Sequence, residues 1–271
     1  MHPKVKNNRK VLSTLNCLKK HMNATSPVYV VTYDCPHRKT YDVLTLLKAK
    51  GYRNVAVFCH PMTYKKTFRP LLQHRPSDLH AIETQRLCRN LHFQCISLPS
   101  IERLSDYVGE IGDVPVLIAH GTLIPNDLLQ KITFINAHPG YSPYARGLDA
   151  FKWSVFKNLP IGVTVHTVRG EFKEKRREEK RDITDTGLYI TRIHLQPTEA
   201  DTFHSMAYKV YEYEISLLVQ SLEMYDSALK ENRIIEPLSE FPSTRRMPND
   251  LERTLDLTLK SYHCDLAQYP C

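Results

Sequence analysis

From Val28 onward, short apolar runs alternate with segments of helical periodicity, a rhythm that few folds accept. Strands that follow one another in the same direction need a crossover of a dozen or more residues, usually a helix. The alternation therefore predicts an α/β fold with a mostly parallel sheet flanked by helices. Strands are expected at Val28–Thr32, Val55–Phe58, Phe93–Leu98, Val114–Ala119 and Thr133–Ala137. Helices are expected from about Lys39 to Lys50, closed by Gly51, from Ser77 to Asn90 with Ser77 as N-cap, and from Ile101 to Val108. A helix over Leu148–Lys157 carries the single tryptophan, Trp153, and strands over Ile161–His166 and Leu188–Leu195 follow. The longest helical pattern runs from Thr202 to Leu229. Its Phe203, Met206, Val210, Tyr213 and Leu217 step by three and four and predict a face packed on the core. The expected organisation is a basic lead-in over residues 1–26, one α/β domain over 27–229, and a short irregular tail over 230–271 with four prolines.

Composition narrows the function classes. No apolar run reaches the ~20 residues that span a bilayer, and the basic N-terminus lacks the apolar stretch of a secretory signal. That segment contains no acidic residue before Asp34, a faint likeness to an organellar transit peptide. The main expectation is a cytoplasmic protein with a loosely docked lead-in and no membrane partner. Seven cysteines (17, 35, 59, 88, 95, 264 and 271) are scattered and never in a Cys-x-x-Cys pair. They form neither a disulfide framework nor a zinc site, so reduced thiols and no metal are expected. The formal charge of +8 is partly local to the first twenty residues. No basic helix with interleaved aromatics occurs, so nucleic acid is not an expected partner, and the positive surface suits a small anion equally well. The run Glu171–Asp182 is a dense mixture of both charges, read as a solvated loop or exposed helix.

Chemistry concentrates in Phe134-Ile-Asn136-Ala-His138-Pro-Gly140-Tyr-Ser-Pro143-Tyr-Ala-Arg146-Gly147. Strand side chains alternate faces, so Asn136 and His138 project from the same side. An amide donor beside an imidazole suits acyl transfer, and the carboxyl end of a sheet strand is where open α/β sheets hold ligands. The plainer reading is a strand end whose polar residues cap a turn.

Several segments together resemble the folate-dependent formyltransferase family. They are His120-Gly-Thr-Leu-Ile-Pro125, Asn136-x-His138-Pro-Gly-x-x-Pro143, Arg146-Gly147, Ile161-Gly-Val-Thr-Val-His166 and Asp185-Thr-Gly187, in the family's order over about Val114 to Ile190. The resemblance implies a Rossmann-like formyltransferase fold, 10-formyltetrahydrofolate as formyl donor, and Asn136, His138 and Asp185 as the catalytic residues. It points to the loop of Thr122, Leu123, Ile124 and Pro125 as the folate site. The physical reading agrees: Asn136 and a protonated His138 would stabilise a tetrahedral oxyanion, and the Asp185 carboxylate would take up the amine's proton. The chain departs from the family in the charged run 171–182, which lengthens the connection to Asp185. A longer loop costs little closure entropy, but it leaves open whether Asp185 reaches His138.

Three acceptor classes are distinguishable. The enzymes acting on initiator methionyl-tRNA carry a further C-terminal β-barrel, whereas only about forty residues follow the long helix here. Those acting on glycinamide ribonucleotide have a glycine-rich phosphate loop after the first strand, where this chain reads Tyr33-Asp-Cys-Pro-His-Arg-Lys39. His138-Pro-Gly through Trp153 looks most like the sugar N-formyltransferases. Tyr144 and Arg146 would then sit beside a nucleotide-linked amino sugar, Arg146 being available to its diphosphate. Glycinamide ribonucleotide or another small amine is the alternative acceptor. A catalytically inactive binding protein of the same fold stays open, as does a homodimer.

Overall fold

The computed structural model describes residues 26–63, 69–77, 81–168 and 184–270. The basic lead-in up to residue 25 and the charged run 171–182 lie outside the described residues. Seven strands form one sheet in the order β3-β2-β1-β4-β5-β6-β7. They are β1 (Val28–Tyr33), β2 (Val55–His60), β3 (Gln94–Ser97), β4 (Val116–Ile118), β5 (Phe134–His138), β6 (Gly162–Val168) and β7 (Tyr189–His194). The first five are mutually parallel, β6 runs antiparallel to β5, and β7 antiparallel to β6. Every residue of β1 and of β2 is buried, as expected for parallel strands covered on both faces.

The chain adds β2 and β3 on one side of β1, then crosses to add β4 on the other. The reversal leaves a switch point between β1 and β4, where the loops at the carboxyl ends diverge. One face of the sheet is covered by α1 (Arg38–Ala49), α2 (Thr84–Leu91), α5 (Ala150–Lys157) and α6 (Phe203–Glu231). Against the other face lie a 3₁₀ helix (Ile101–Tyr107), α3 (Val108–Ile111) and α4 (Asn126–Leu129), around a core of Tyr29, Val31, Phe58, Leu104 and Phe134.

Helix α6 starts in a capping box: Thr202 Oγ1 accepts from the Ser205 amide, and Ser205 Oγ accepts from the Thr202 amide. Its buried face runs through Phe203, Met206, Val210, Glu214, Leu218 and Leu222, whereas Tyr213, expected on that face, is exposed. The 3.6-residue period carries the stripe on from Val210 to Glu214, so a carboxylate takes the place expected for an apolar side chain.

Three further expectations are corrected. The helix expected from Ser77 is shorter: α2 begins at Thr84, and the chain from Pro61 to Glu83 contributes no helix or strand among its described residues. Pro76 stands beside Ser77, and loop 69–77 is held by other means described below. The helix expected over Ile101–Val108 is 3₁₀ as far as Tyr107, with α geometry only beyond it. The C-terminal segment, though largely irregular, includes α7 (Asn249–Glu252) and α8 (Leu255–Lys260), and it places Met247, Leu255 and Leu259 in the main core.

Candidate active site

Strand β5 sits between β4 and β6 and ends at His138. Asn136 pairs across to His166 and His138 to Thr164. Their side chains share the face of Phe134, while Ile135 and Ala137 turn toward α6. Asn136 is half-buried and His138 is 5% exposed. Beyond His138 the loop folds back over the imidazole. A Cβ on Gly140 would collide with His138 Nε2 and with the Ala145 carbonyl, so only glycine fits there. Thr164 of β6 pins this loop, its Oγ1 accepting from the Ser142 amide (3.0 Å) and donating to the Gly140 carbonyl (2.8 Å). Arg192 of β7 donates to the Ser142 carbonyl and lies 3.9 Å from the Tyr141 ring centre. The Ser142–Pro143 peptide is cis.

Asp185 lies beside His138, with Oδ2 3.4 Å from the imidazole Nδ1, and the same oxygen accepts from the Gly147 amide at 2.8 Å. On its other edge, His138 Nε2 is 3.2 Å from the Ala145 carbonyl. Two oxygens thus face the two ring nitrogens. Asp185 adopts a positive φ of 49°, and a Cβ on Gly187 would strike the Thr167 carbonyl. Both members of the Asp-x-Gly element therefore answer to backbone geometry as well as to chemistry.

The two residues expected at the acceptor do not present themselves to solvent. Arg146 is 1% exposed. Its Nε donates to the Pro143 carbonyl (3.3 Å), one terminal nitrogen to Thr184 (2.7 Å) and the other to Phe241 (3.1 Å). The guanidinium expected at the diphosphate is thus buried and holds main-chain carbonyls of three segments. Tyr144 is also buried: its hydroxyl donates to the Pro270 carbonyl (2.7 Å), and Phe241 and Tyr269 stand edge-on to its ring. The C-terminal segment covers it, and it does not line an open acceptor site.

The loop after β4 contrasts with this enclosure. Leu123 is 90% exposed, and Thr122, Ile124 and Pro125 are half-buried. The loop is anchored by the Tyr33 hydroxyl, which accepts from the Gly121 amide (3.1 Å) and Thr122 Oγ1 (3.0 Å), and by His120 Nδ1, which accepts from the Thr122 amide (3.0 Å).

The sequence reading missed two groups. Tyr33, His60 and His120 each stand at or just past the carboxyl end of a parallel strand and pack ring to ring, with His60 and His120 centres 5.1 Å apart. Burial, with His60 and Lys39 nearby, holds the His120 imidazole well below its usual range. Their common position, closing an apolar run, was a visible signal. Two buried ion pairs form the second group: Lys39 to Glu214 (2.7 Å) and Lys152 to Glu252 (2.6 Å). Arg75 also reaches Glu214 (3.4 Å), and the Leu71 and Leu72 amides donate to Glu252, which ties down loop 69–77. Burial pushes the Glu214 carboxyl up, but Arg75 and Lys39 outweigh it and hold the group below its ordinary value. These partners lie 175 and 100 residues apart, so no local pattern announces them.

Among the described residues, no set of three His, Cys, Asp or Glu side chains is placed to hold a metal ion, and no helix is long and apolar enough to cross a membrane.

No protein-family model matches the chain, and no curated protein sequence matches it significantly. Solved structures do. A 4-N formyltransferase from Francisella tularensis superposes with a TM-score of 0.52 at 18% identity, covering 88% of each chain. A provisionally assigned sugar N-formyltransferase from Mycobacterium tuberculosis gives 0.52 at 18% identity over 86% of this chain and 88% of its own. WlaRD, a sugar 3N-formyltransferase whose structure was obtained with dTDP and 5-N-formyltetrahydrofolate, gives 0.50 at 11% identity over 82% of this chain and 70% of its own. The chain has the Rossmann-like fold of these formyltransferases.

Proposed function

We propose that this protein transfers a formyl group from 10-formyltetrahydrofolate to a primary amine, the amino group of a nucleotide-linked sugar. The observation that carries the reading is the gathering of Asn136, His138 and Asp185 at the carboxyl end of β5, in a fold shared with sugar N-formyltransferases. The loop 122–125 would hold the folate, with Leu123 and Ile124 against the pterin. Attack of the amine on the formyl carbon creates a tetrahedral oxyanion. The Asn136 amide donates to it, and so does the His138 imidazolium. For the latter, Nε2 must give up the Ala145 carbonyl; that bond is long at 3.2 Å, and a developing oxyanion is the stronger acceptor. Asp185, 3.4 Å from the imidazole, accepts the amine's proton, directly or through water. The carbon–nitrogen bond to the donor then breaks, the donor nitrogen takes up the proton that Asp185 received, and tetrahydrofolate leaves.

The enclosure of Tyr144 and Arg146 supports a second reading, a folate-binding protein of this fold without turnover. Incubating the purified protein with 10-formyltetrahydrofolate and a panel of nucleotide-linked amino sugars, while following tetrahydrofolate release, separates the two. Release that depends on one amino sugar is the expected outcome. Folate binding with no release for any amine would replace the proposal with the second reading.

A further inference from the structure

The lengthened connection before Asp185 poses a mechanical question: what holds the aspartate against His138? We infer that Arg146 and the C-terminal segment Arg233–Thr244 form a clamp that positions Asp185, making a stretch remote in sequence part of the catalytic apparatus. The inference rests on the formyl-transfer reading for its kinetic consequences but not for its geometry.

The Asp185 loop is gripped on both sides. Ahead of it, the Arg146 guanidinium holds the Thr184 carbonyl at 2.7 Å, while its other donors hold Pro143 in the His138 loop and Phe241 in the C-terminal segment. One buried cation thereby ties three separate stretches of chain. Behind the aspartate, the Ile235 amide donates to the Gly187 carbonyl (2.9 Å) and the Tyr189 amide to Arg233 (2.7 Å), with Leu188 and Ile234 bridged as a short antiparallel pair. The aspartate itself takes its hydrogen bond from Gly147, the next residue after Arg146.

Gly147 is in turn locked by the C-terminal segment. The Thr244 amide donates to the Arg146 carbonyl (2.8 Å) and the Leu148 amide to the Thr244 carbonyl (2.9 Å). Thr244 Oγ1 lies 2.7 Å from the Arg146 carbonyl and 2.8 Å from that of Leu148. Any Cβ on Gly147, whose φ is +91°, would run into Thr244. Arg146 and Thr244 touch no reacting atom in this scheme. They act through Asp185, so they are positioning residues. A planar guanidinium can aim separate N–H groups at three carbonyls at once, which a lysine ammonium on a flexible stem does not reproduce.

The test compares the wild-type full chain with Arg146→Lys, Thr244→Val and Asp185→Asn. It reads kcat and KM for formyl transfer, folate affinity by direct binding, and the imidazole ¹⁵N signals of His138. Displacing a catalytic group by about 1 Å costs on the order of a hundredfold in rate. Arg146→Lys is therefore expected to lower kcat by about that factor with KM and folate affinity changed less than a few-fold, and Thr244→Val by roughly tenfold. In both, the His138 signals should move toward those of Asp185→Asn. Wild-type His138 signals and wild-type kcat in both variants would overturn the clamp. If Arg146→Lys does not fold, Thr244→Val, which leaves the guanidinium in place, decides alone. If the wild-type chain transfers no formyl group to any amine, the function proposed above fails, while the His138 signals still decide the clamp.

Discussion

Two buried cationic regions hold different parts of the molecule together. Under loop 69–77, Lys39 and Lys152 meet the carboxylates Glu214 and Glu252. Beside the candidate catalytic residues, Arg146 holds main-chain carbonyls of Pro143, Thr184 and Phe241. A buried ion pair leaves a naked charge when one partner is removed, so the first region is sensitive chiefly in stability. The carbonyls that Arg146 holds belong to segments whose relative position sets the Asp185–His138 distance. The second region is therefore sensitive chiefly in rate. Similar burial serves the scaffold in one place and the geometry of the reaction in the other.

The sharpest way to break this contrast is Glu252→Ala. It strands the Lys152 ammonium and two backbone amides, and is expected to cost about 3–5 kcal/mol in urea unfolding while the rate per folded molecule changes little. A comparable loss of kcat would merge the two regions into one. Next comes Asn136→Ala, expected to reduce formyl transfer by ~3 kcal/mol of transition-state stabilisation, a few-hundredfold in kcat, with the melting temperature close to wild type.

A third test uses pH. Burial lowers the imidazoles of His60, His120 and His194, and burial with Arg75 and Lys152 nearby pushes His74 down to about 3. The ion-pair geometry of His74 with Asp149, at 4.0 Å, is outweighed by burial and those cations, so His74 is neutral there. The folded state thus binds fewer protons than the unfolded chain once pH falls below about 6.5, the ordinary histidine value. Stability present above that pH is lost as pH drops toward the lowered folded values. Unfolding midpoints from pH 7.5 to 5 should fall, and His120→Asn should flatten the slope; an unchanged slope would show that His120 is not buried neutral. The smallest expected effect belongs to Leu123→Ser. With the side chain already in solvent, stability should shift by less than about 0.5 kcal/mol, while folate affinity falls roughly tenfold by equilibrium binding.

Much of the fold was legible because it is written in local periodicity. The fully buried runs of β1 and β2, the alternation along β6, and the stepping of α6 each follow from a handful of neighbouring residues. The misreadings have local causes too. Tyr213 fits an i, i+3 step from Val210, yet the stripe passes through Glu214, whose carboxylate is tolerated only because Lys39 and Arg75 come to it from elsewhere. Ser77 offers a capping hydroxyl, yet loop 69–77 is held by Glu214 and Glu252. Asn136 and His138 were legible as a pair because two residues on one strand must share a face.

The sequence by itself determined the mostly parallel sheet and the strand end that carries Asn136 and His138. Only the tertiary structure decided what Arg146 and Tyr144 do and how Asp185 comes to His138. Alone in the sequence, Arg146 is a cation in the loop after His138; in the fold it is buried and holds three carbonyls from three segments, one of them 95 residues away. The physical reason is range. Strand and helix periodicity are properties of adjacent residues, whereas the partner of a buried charge is whichever acceptor the packed chain brings within about 3 Å, and no local pattern records it.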